Sequence, residues 1–526
     1  MVTPVYAAGV VAREPKHIYR ELLRLDRPCF VVRDEFGVGV TVDPELARRA
    51  RVLASVPALP PESLGDRDFL AAHGVRQAYA TGAMANGIAS ASMVIALSRA
   101  GYLASFGSGG LLPDKVDQSL ARIRLETPGT PFGCNLIHSP SEPAMERAAV
   151  QLFLRHQVRC VEASAFMDLT PQIVHYRAAG LVRDGSGAVQ AGHRVIAKVS
   201  RAEVAERFLR PAPPAMLQAL VRDGSITAEQ AELAARVPMA DDITAEADSG
   251  GHTDRRPLLV LLPEIIAVRD RIQRELGYPR QVRVGAAGGI GTPVAAAAAF
   301  TLGAAYVVTG SINQSCVEAD QSPQAKELLA AAGTADCAMA PSADMFELGA
   351  DVQVLQRGTM FVGRAKRLYE AYRANDSIES IPDSERAELE TRVFQQPLSD
   401  VWQDCVRFFT ERDPEQIRRA ENNPKRRMAL AFRWYLGQSS GWSIQGTPGR
   451  SADYQIWCGP AMGAFNQWVT ATYMAAPANR TVADVAAHLM RGAAYTSRVN
   501  QLRLAGVRLP TGCTTYLPTP LSGDTT

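Results

Sequence analysis

Residues 280–314 read RQVRVGAAGGIGTPVAAAAAFTLGAAYVVTGSINQ, and this stretch decides the fold. An apolar run ends in a glycine turn at 288–291, and the alanine-rich segment 292–302 that follows predicts a helix. A second apolar run then ends in another turn, 309–311. Strand, glycine turn, helix, strand and glycine turn in this order predict a βαβ unit. If its strands are adjacent and parallel, both turns present backbone amides at the same edge of the sheet.

The position of this unit indicates what the two turns bind. It precedes the C-terminal region of the chain, where the last two strands of a (β/α)8 barrel would lie. In such barrels a phosphate usually sits at the turns after strands 7 and 8, held by backbone N–H groups. The sequence therefore favours a phosphate-bearing cofactor. This is not a dinucleotide fingerprint, because neither 107–110 nor 285–291 has the GxGxxG spacing.

Short apolar stretches alternate with helical segments from residue 75 to residue 309. Eight strands with intervening helices predict an α/β fold, namely a closed (β/α)8 TIM barrel, although an open doubly wound sheet fits the alternation almost as well. The predicted strands are 75–80, 102–106, 131–137, 158–164, 194–199, 243–247, 282–286 and 305–309.

The length of the chain, 526 residues, exceeds what one ordinary core accommodates and predicts two or three domains. We expect a small N-terminal α+β unit with its linker over 1–65, the barrel over 66–365 and a helical C-terminal domain over 366–526. After the fifth predicted strand, 201–238 forms a helical insertion that could serve as a lid or a docking surface. Residues 227–230 read TAEQ, the form of a capping box that begins a helix.

Composition argues against several classes of function. A formal net charge of +2 gives no global field that would recruit nucleic acid or an anionic membrane. The eight cysteines show no CxxC spacing, so we expect a reducing compartment and neither a metal site nor a disulfide framework. Segment 293–310 is nearly free of charge, but its alanine content favours a buried helix and strand over a membrane span. Residues 1–11 lack the features of a secretory signal, and we expect a cytoplasmic protein.

The sixth predicted strand carries polar side chains where a barrel interior is usually apolar. Residues 243, 245 and 247 are apolar and are expected to pack outward, so Thr244, Glu246 and Asp248 face inward or toward the mouth. Buried carboxylates are costly unless they bind something. The turn that follows, Ser249, Gly250 and Gly251, then brings His252 to the barrel mouth. These residues indicate a site; the alternative, which the pattern favours less, is that Glu246 and Asp248 cap neighbouring loops and His252 is a solvated loop residue.

Three other strand ends support the same location. Lys198 lies on the inward face of the fifth strand, where its ammonium could stabilise negative charge on a ligand; the alternative is an ion pair with Glu162 or Glu246 that only completes the barrel interior. The third strand carries Asn135, whose amide can bond a pyrimidine-like edge. The small-residue turn after the first strand contains Ala83 and Met84 and would let a planar ring lie on backbone atoms.

Several motifs along nearly the whole chain resemble the PfaD family. They are GAMANGIAS at 82–90, EADSGGHTD at 246–254, DMFE at 344–347, RWYLG at 433–437, DYQIWCGPAMG at 453–463 and the two glycine turns. The resemblance implies a stand-alone, trans-acting enoyl reductase of polyunsaturated fatty acid synthases or trans-acyltransferase polyketide synthases. It also implies an FMN-dependent TIM barrel, related to FMN-dependent enoyl reductases and nitronate monooxygenases.

The resemblance also implies roles for individual residues. Gly288, Gly289, Gly310 and Ser311 would hold the FMN phosphate, and His252 matches the active-site histidine of the relatives. The residues expected to line the isoalloxazine ring are Ala83, Met84, Asn135 and Lys198, with Ser249, Gly250 and Gly251 also placed at the cofactor.

The function expected on this basis is the reduction of an α,β-unsaturated thioester on an acyl carrier protein, with NADPH as the hydride donor and His252 as the acid. Two alternatives are a nitronate monooxygenase-type flavin oxygenase and a non-catalytic assembly partner of a synthase. A homodimer is left open. One basic cluster could meet the acidic carrier protein or could be a solvated helix face; it comprises Arg418, Arg419, Lys425, Arg426, Arg427 and Arg433.

Overall fold

A computed structural model describes residues 10–138, 140 and 142–521, so most of segment 1–11 lies outside the described residues. Eight parallel strands close into a barrel in the order β10-β11-β13-β14-β4-β5-β6-β7, which confirms the predicted TIM barrel and excludes the open sheet. The strands of the described part are β1 Cys29–Asp34, β2 Gly37–Thr41, β3 Arg51–Val56, β4 Tyr79–Thr81, β5 Leu103–Phe106, β6 Gly133–Ile137, β7 Cys160–Ser164, β8 Leu181–Arg183, β9 Val189–Ala191, β10 Arg194–Val199, β11 Asp242–Glu246, β12 Gly251–His252, β13 Arg283–Ala287, β14 Val307–Thr309, β15 Cys337–Pro341 and β16 Asp351–Leu355.

Helices surround the barrel and make up most of the C-terminal region. The α-helices of the described part are α1 Pro15–Leu22, α2 Pro44–Arg48, α3 Arg67–His73, α4 Ala91–Arg99, α5 Pro113–Glu126, α6 Pro143–Arg155, α7 Pro171–Ala179, α8 Ala202–Leu209, α9 Pro214–Arg222, α10 Ala228–Ala234, α11 Leu258–Leu276, α12 Pro293–Thr301, α13 Pro323–Ala330, α14 Phe361–Ala374, α15 Asp383–Leu389, α16 Leu398–Arg412, α17 Pro414–Glu421, α18 Pro424–Gln445, α19 Ala461–Val469 and α20 Val482–Leu504. None of these helices combines the length and the apolar character that crossing a membrane requires. The alanine-rich segment is α12 followed by β14, as predicted.

The alternation of side chains along the barrel strands is the one that the sequence predicts. On β10, Val195 and Ala197 belong to the large apolar core outside the barrel wall, whereas Ile196 belongs to the small cluster inside it. On β11, Ile243 packs outward in the same way, and Thr244 points inward to hydrogen-bond the hydroxyl of Tyr306 at 2.7 Å. Polar side chains at the ends of these two strands therefore face the barrel axis.

The N-terminal end of the barrel, which we call the floor, is closed by aromatic rings and a buried ion pair. Phe69 stacks on Tyr306 with ring centroids 4.2 Å apart. Arg283 donates two hydrogen bonds, of 2.6 and 2.8 Å, to the carboxylate of Asp242, and His73 lies 2.8 Å from the same group. Burial alone would raise the pKa of Asp242, but Arg283 and His73 outweigh it and lower the pKa to about 2.

A small antiparallel sheet covers the opposite end, which we call the mouth. Its strand order is β12-β16-β15, with Gly251 paired to Gln353 and His252 paired to Val352. Val354 forms a further bridge with Trp457 of the C-terminal region. The loop after the sixth barrel strand is therefore fixed by hydrogen bonds to segments far along the chain.

The N-terminal unit combines helices with strands, as predicted, and its three strands form one antiparallel sheet in the order β2-β1-β3. The guanidinium of Arg498, on α20, is fully buried and donates to the carbonyl groups of this unit and its linker, at residues 22, 24, 25, 27 and 57. The thiol of Cys513 also lies 3.0 Å from the carbonyl oxygen of Pro15. The two ends of the described chain are thus joined in one core.

The insertion after the fifth barrel strand is helical, as predicted, and Thr227 and Gln230 form the predicted capping box at the start of α10. However, α10 packs against α7 and β8, and neither α9 nor α10 lines the cavity at the barrel mouth. The expectation of a lid is therefore wrong for these two helices. The domain boundaries at 65 and 365 stay a prediction.

Candidate functional site

A cavity of about 1310 Å³ lies at the mouth of the barrel, between the strand ends and the C-terminal helices. The structure brings to its wall the twelve residues that were expected to hold the cofactor or to act on the substrate. They are Ala83, Met84, Asn135, Lys198, Ser249, Gly250, Gly251, His252, Gly288, Gly289, Gly310 and Ser311. These positions come from the ends of different barrel strands, so their convergence follows from the barrel topology and not from their spacing in sequence.

The two glycine turns form one cradle at neighbouring strand ends. Ala287 pairs with Val308, so the turns that follow start side by side, about 4.8 Å apart. Gly288 and Gly289 adopt φ angles of +81° and +72°, which favour glycine. A Cβ atom added at Gly289 or Gly310 would meet no protein atom within 4 Å, because both border the cavity. Within the described residues the amides of Gly289, Gly310 and Ser311 have no backbone acceptor, so the cradle fits a phosphate.

A C-terminal segment that sequence reasoning did not assign to the site packs directly on this cradle. The backbone of Cys458 lies so close to Gly250 that an added Cβ would come within 2.8 Å of its nitrogen. The amide of Gly459 donates a 3.1 Å hydrogen bond to the hydroxyl of Ser311. Because this hydroxyl already accepts a hydrogen bond, its own proton stays available for an anionic ligand. The motif WCGP was visible in the sequence, but only its contacts explain why positions 250 and 459 must both be glycine.

The ammonium of Lys198 lies between two carboxylates inside the barrel. It is 3.2 Å from Glu246 and 3.5 Å from Glu162. Burial would lower the pKa of Lys198, but the two carboxylates outweigh it, so the pKa is raised and the ammonium stays charged. Glu162 also accepts a hydrogen bond from the backbone amide of Ala83 at 3.1 Å. The ion pair weighed as an alternative in the sequence analysis therefore exists, and it lies on the wall of the cavity.

Asn135 is buried and oriented by its neighbours. Its amide nitrogen donates to the carbonyl oxygen of Glu162 at 3.1 Å and to the hydroxyl of Ser164 at 2.8 Å. Both N–H donors of the side chain are thereby used, so the carbonyl oxygen is the atom left for a ligand on the cavity side. Asn135 can accept a hydrogen bond from a bound ring but not donate one in this arrangement.

His252 is part of a hydrogen-bonded group that was only partly foreseen. Its Nε2 lies 3.1 Å from Asp344 and 3.2 Å from the hydroxyl of Ser342, which itself donates to Asp344. Burial would lower the pKa of His252, but Asp344 and then Glu246 outweigh it and raise the pKa. The carboxyl of Asp344 is partly buried, yet hydrogen bonds from His252 and Ser342 hold its pKa well below its usual range. His252 keeps 37% of its side chain exposed, so a ligand in the cavity can reach the ring.

Asp248, expected at the site from its place in the alternating pattern, does not line the cavity. Its carboxylate accepts a 2.8 Å hydrogen bond from the side chain of Gln353, which also donates to the carbonyl of Ser249 at 2.7 Å. Asp248 thus anchors the loop that carries His252 to the sheet over the mouth.

The predicted basic cluster is not one exposed surface. Lys425 is bonded to backbone carbonyls, Arg426 donates to Gln416 at 2.6 Å, and the guanidinium of Arg427 lies over the ring of Trp402 at 4.9 Å. Arg433 alone of the cluster lines the cavity. The other two, Arg418 and Arg419, both pair with Glu415 on the surface of α17. The six residues are therefore engaged in separate contacts, and their role in carrier-protein docking stays a prediction.

Three family models match the chain. Residues 7–58 match the N-terminal domain of the fatty acid synthase subunit PfaD, residues 75–346 match nitronate monooxygenase, and residues 375–454 match the inserted helical domain of [acyl-carrier-protein] S-malonyltransferase. The second of these models covers just over half of the chain and coincides with the barrel.

Similar proteins come from lipid and polyketide biosynthesis. The chain is 46% identical to a polyunsaturated fatty acid synthase protein of Thraustochytrium sp. over 95% of its own length and 34% of that protein. It is 45% identical to the polyketide biosynthesis protein PksE of Bacillus subtilis over 85% of its length and 58% of that protein. The chain thus spans between a third and three-fifths of these relatives. Among solved structures, the enoyl reductase domain of MlnA, from the macrolactin cluster of Bacillus amyloliquefaciens, superposes with a TM-score of 0.81 at 38% identity, covering 85% of this chain and all of that domain.

Proposed function

The chain belongs to the PfaD family and its barrel to the nitronate monooxygenase family, and on this premise we propose that it is a flavin-dependent enoyl reductase. Its substrate is an α,β-unsaturated thioester carried by an acyl carrier protein of a polyketide or polyunsaturated fatty acid synthase. Its cofactor is FMN, and NADPH supplies the electrons. The likeness to the MlnA enoyl reductase domain, over the full length of that domain, supports the reaction class.

One observation carries the proposal: a histidine with a raised pKa, bonded to Asp344, shares one cavity with an open glycine cradle and a charged lysine. The cradle at Gly289, Gly310 and Ser311 would bind the phosphate of FMN through backbone amides and the serine hydroxyl. When bound, the flavin would supply the hydride that the β-carbon of the substrate receives.

His252 then provides the proton for the α-carbon. Its raised pKa keeps a larger fraction of the ring protonated near neutral pH than an ordinary histidine would have, and an imidazolium is a competent acid there. Asp344 accepts from Nε2, so it holds the ring in place and stabilises its charged form. After transfer, the proton is regained from solvent, since the ring is partly exposed.

Lys198 positions the flavin ring through a hydrogen bond and does not act as an isolated positive charge. The group formed by Lys198, Glu162 and Glu246 carries one positive and two negative charges, so its net field does not favour an anion. An ammonium has three N–H donors, and the two carboxylates occupy two of them. The third is left for an oxygen or nitrogen of the bound ring, beside the free carbonyl oxygen of Asn135.

The proposal is tested on the purified protein by a visible absorption spectrum and by NADPH oxidation. We expect a yellow protein that oxidises NADPH rapidly only when a trans-2-enoyl thioester is present, with the saturated thioester of the same length as the matched control. Oxygen consumption with a nitronate and no need for NADPH would instead establish the nitronate monooxygenase alternative. A colourless protein that binds no added FMN would leave only an assembly role.

A further inference from the structure

We propose that the part of the cavity farthest from the glycine cradle is a binding subsite for the aliphatic chain of the substrate. We call it the acyl arm and define it by α5, α6 and the loop after β7 on the barrel side, and by α16 and α18 on the C-terminal side. The inference rests on the proposed function, which it extends to the chemical class of acyl group.

The barrel order places this arm across the mouth from the cradle. In the closed order β10-β11-β13-β14-β4-β5-β6-β7, the strands β6 and β7 lie four positions from β13 and β14, which carry the two glycine turns. The helix α6 follows β6, and Phe166 follows β7. A cofactor held by its phosphate at β13 and β14 would extend toward Lys198 and Asn135, and the arm continues beyond them.

The walls of the arm are hydrocarbon on both sides. The barrel side contributes aliphatic, aromatic and thioether side chains, and the C-terminal helices contribute a matching apolar face. These residues are Val116, Met145, Ala149, Leu152 and Phe166 on one side and Cys405, Phe408, Phe409 and Leu430 on the other. Phe408 and Met167 are about half exposed, so the apolar lining continues to the rim.

Five of the six charged side chains that line α6 and α16 along the arm are bonded to protein groups, and the sixth, Glu411, is exposed to solvent. Arg412 donates two hydrogen bonds, of 2.8 and 2.9 Å, to Glu142, which joins α16 to α6. Glu146 is buried and held by His138 at 3.1 Å and by the hydroxyl of Thr170. A polar ligand would find few hydrogen-bond partners here and would lose its hydrogen bonds to water, whereas an alkyl chain has no such bonds to lose.

The volume is also larger than a single ligand needs. Sites for one cofactor-sized molecule occupy roughly 300–1,000 Å³, and the cavity holds about 1310 Å³. An apolar extension beside a redox site is therefore explained by a second, hydrophobic occupant. Because the arm is continuous with the space in front of His252, that occupant is the chain attached to the reacting double bond.

Equilibrium binding of saturated acyl-pantetheine thioesters tests the arm without requiring any reduction. We expect the ten-carbon thioester to bind at least about tenfold more tightly than the four-carbon one, because each buried methylene is worth roughly two- to fourfold. Ala149→Trp should remove most of this preference by filling the arm. The matched control, Ala144→Trp, places the same ring on the exposed face of α6 and should keep the preference.

Met145→Glu is a second variant, which adds a charge instead of bulk at a partly exposed position and should also weaken the longer thioester selectively. Circular dichroism confirms that each variant is folded. Equal binding of both chain lengths by the unmodified protein, or equal behaviour of Ala149→Trp and Ala144→Trp, would overturn the arm. If the protein reduces enoyl thioesters but binds both chain lengths equally, the proposed function stands and the arm is rejected. If binding depends on chain length but no reduction occurs, the arm is supported and the proposed function is rejected.

Discussion

The two ends of the barrel hold similar charged groups in different surroundings. At the floor, Arg283 pairs with Asp242, and at the mouth Lys198 pairs with Glu162 and Glu246. The carboxylate of Asp242 at the floor is completely buried, its partners are protein groups, and the stacked rings of Phe69 and Tyr306 close the same end of the barrel. The mouth group lies beside a cavity and keeps an unused donor. The same kind of ion pair therefore supports packing at one end and can bind a ligand at the other.

This contrast explains how a single barrel separates stability from chemistry. Changes at the floor should alter the free energy of unfolding and leave the reaction alone, and changes at the mouth should do the reverse. Four substitutions test that separation, in order of the size of the effect expected.

Gly310→Val should abolish flavin binding, which would be seen as loss of visible absorbance and of all enoyl reduction. The valine side chain would enter open space in the cradle, because a Cβ added at Gly310 meets no protein atom within 4 Å. The flavin-free protein should therefore unfold within about 1 kcal/mol of the unmodified one. Gly363→Val, at an exposed helical glycine that also has free space, is the control and should keep the flavin. Retention of flavin by Gly310→Val would remove the cradle from the proposal.

His252→Ala should lower kcat by about 10²–10⁴-fold, the usual contribution of a general acid, while flavin content stays unchanged. The measurement is steady-state NADPH oxidation with an enoyl thioester. Urea unfolding should show little change, because the side chain is partly exposed and packs at the rim of the cavity. Full turnover by this variant would transfer the acid role to another group.

Asp242→Asn should lower the free energy of unfolding by about 3–5 kcal/mol, since it leaves the guanidinium of Arg283 buried without its counter-charge. Because the folded pKa of Asp242 is lowered to about 2, its stabilisation is complete above the unfolded value of about 4 and is lost as the pH falls through the folded one. The difference between variant and unmodified protein in urea unfolding should therefore shrink in that acidic range. Glu246→Gln at the mouth is the matched control and should cost less than half as much; equal costs would contradict the contrast between the two ends.

Asp344→Asn should have the smallest effect at neutral pH, a loss of kcat of less than about tenfold, because His252 stays in place. Asp344 raises the pKa of His252, so its neutralisation should lower that pKa. Since the proposed mechanism uses the acid form of His252, the decline of kcat with rising pH should begin at a lower pH in the variant. An unchanged pH profile would reduce Asp344 to a packing role.

The fold was largely predictable because its pattern is local and repeated. The βαβ unit at 280–314, the eight strands and the inward position of Lys198 follow from alternation and from glycine turns, which depend on neighbours in sequence. The strands β15 and β16 were not foreseen, since they form a small antiparallel sheet over the mouth with the two-residue strand β12 and lie outside the repeat of strand and helix that builds the barrel.

The site was predictable where a residue sits at a barrel strand end and not where it comes from elsewhere. Asp344 and Ser342 lie some 90 residues after His252, and only the sheet over the mouth brings them together. Gly459 reaches Ser311 from the C-terminal region in the same way. Asp248 was misplaced because the alternation was extended past the end of β11, where the chain turns and the period of two no longer applies.

The buried guanidinium of Arg498, with the contact between Cys513 and Pro15, has a consequence for larger assemblies. Both extremities of the described chain are tethered at one place on the molecule. In a longer polypeptide, such as the relatives that the chain spans only in part, neighbouring modules on either flank would attach on the same side. In such a polypeptide the unit would be joined to its neighbours at one side only, so its orientation relative to them would change without any rearrangement of its own core.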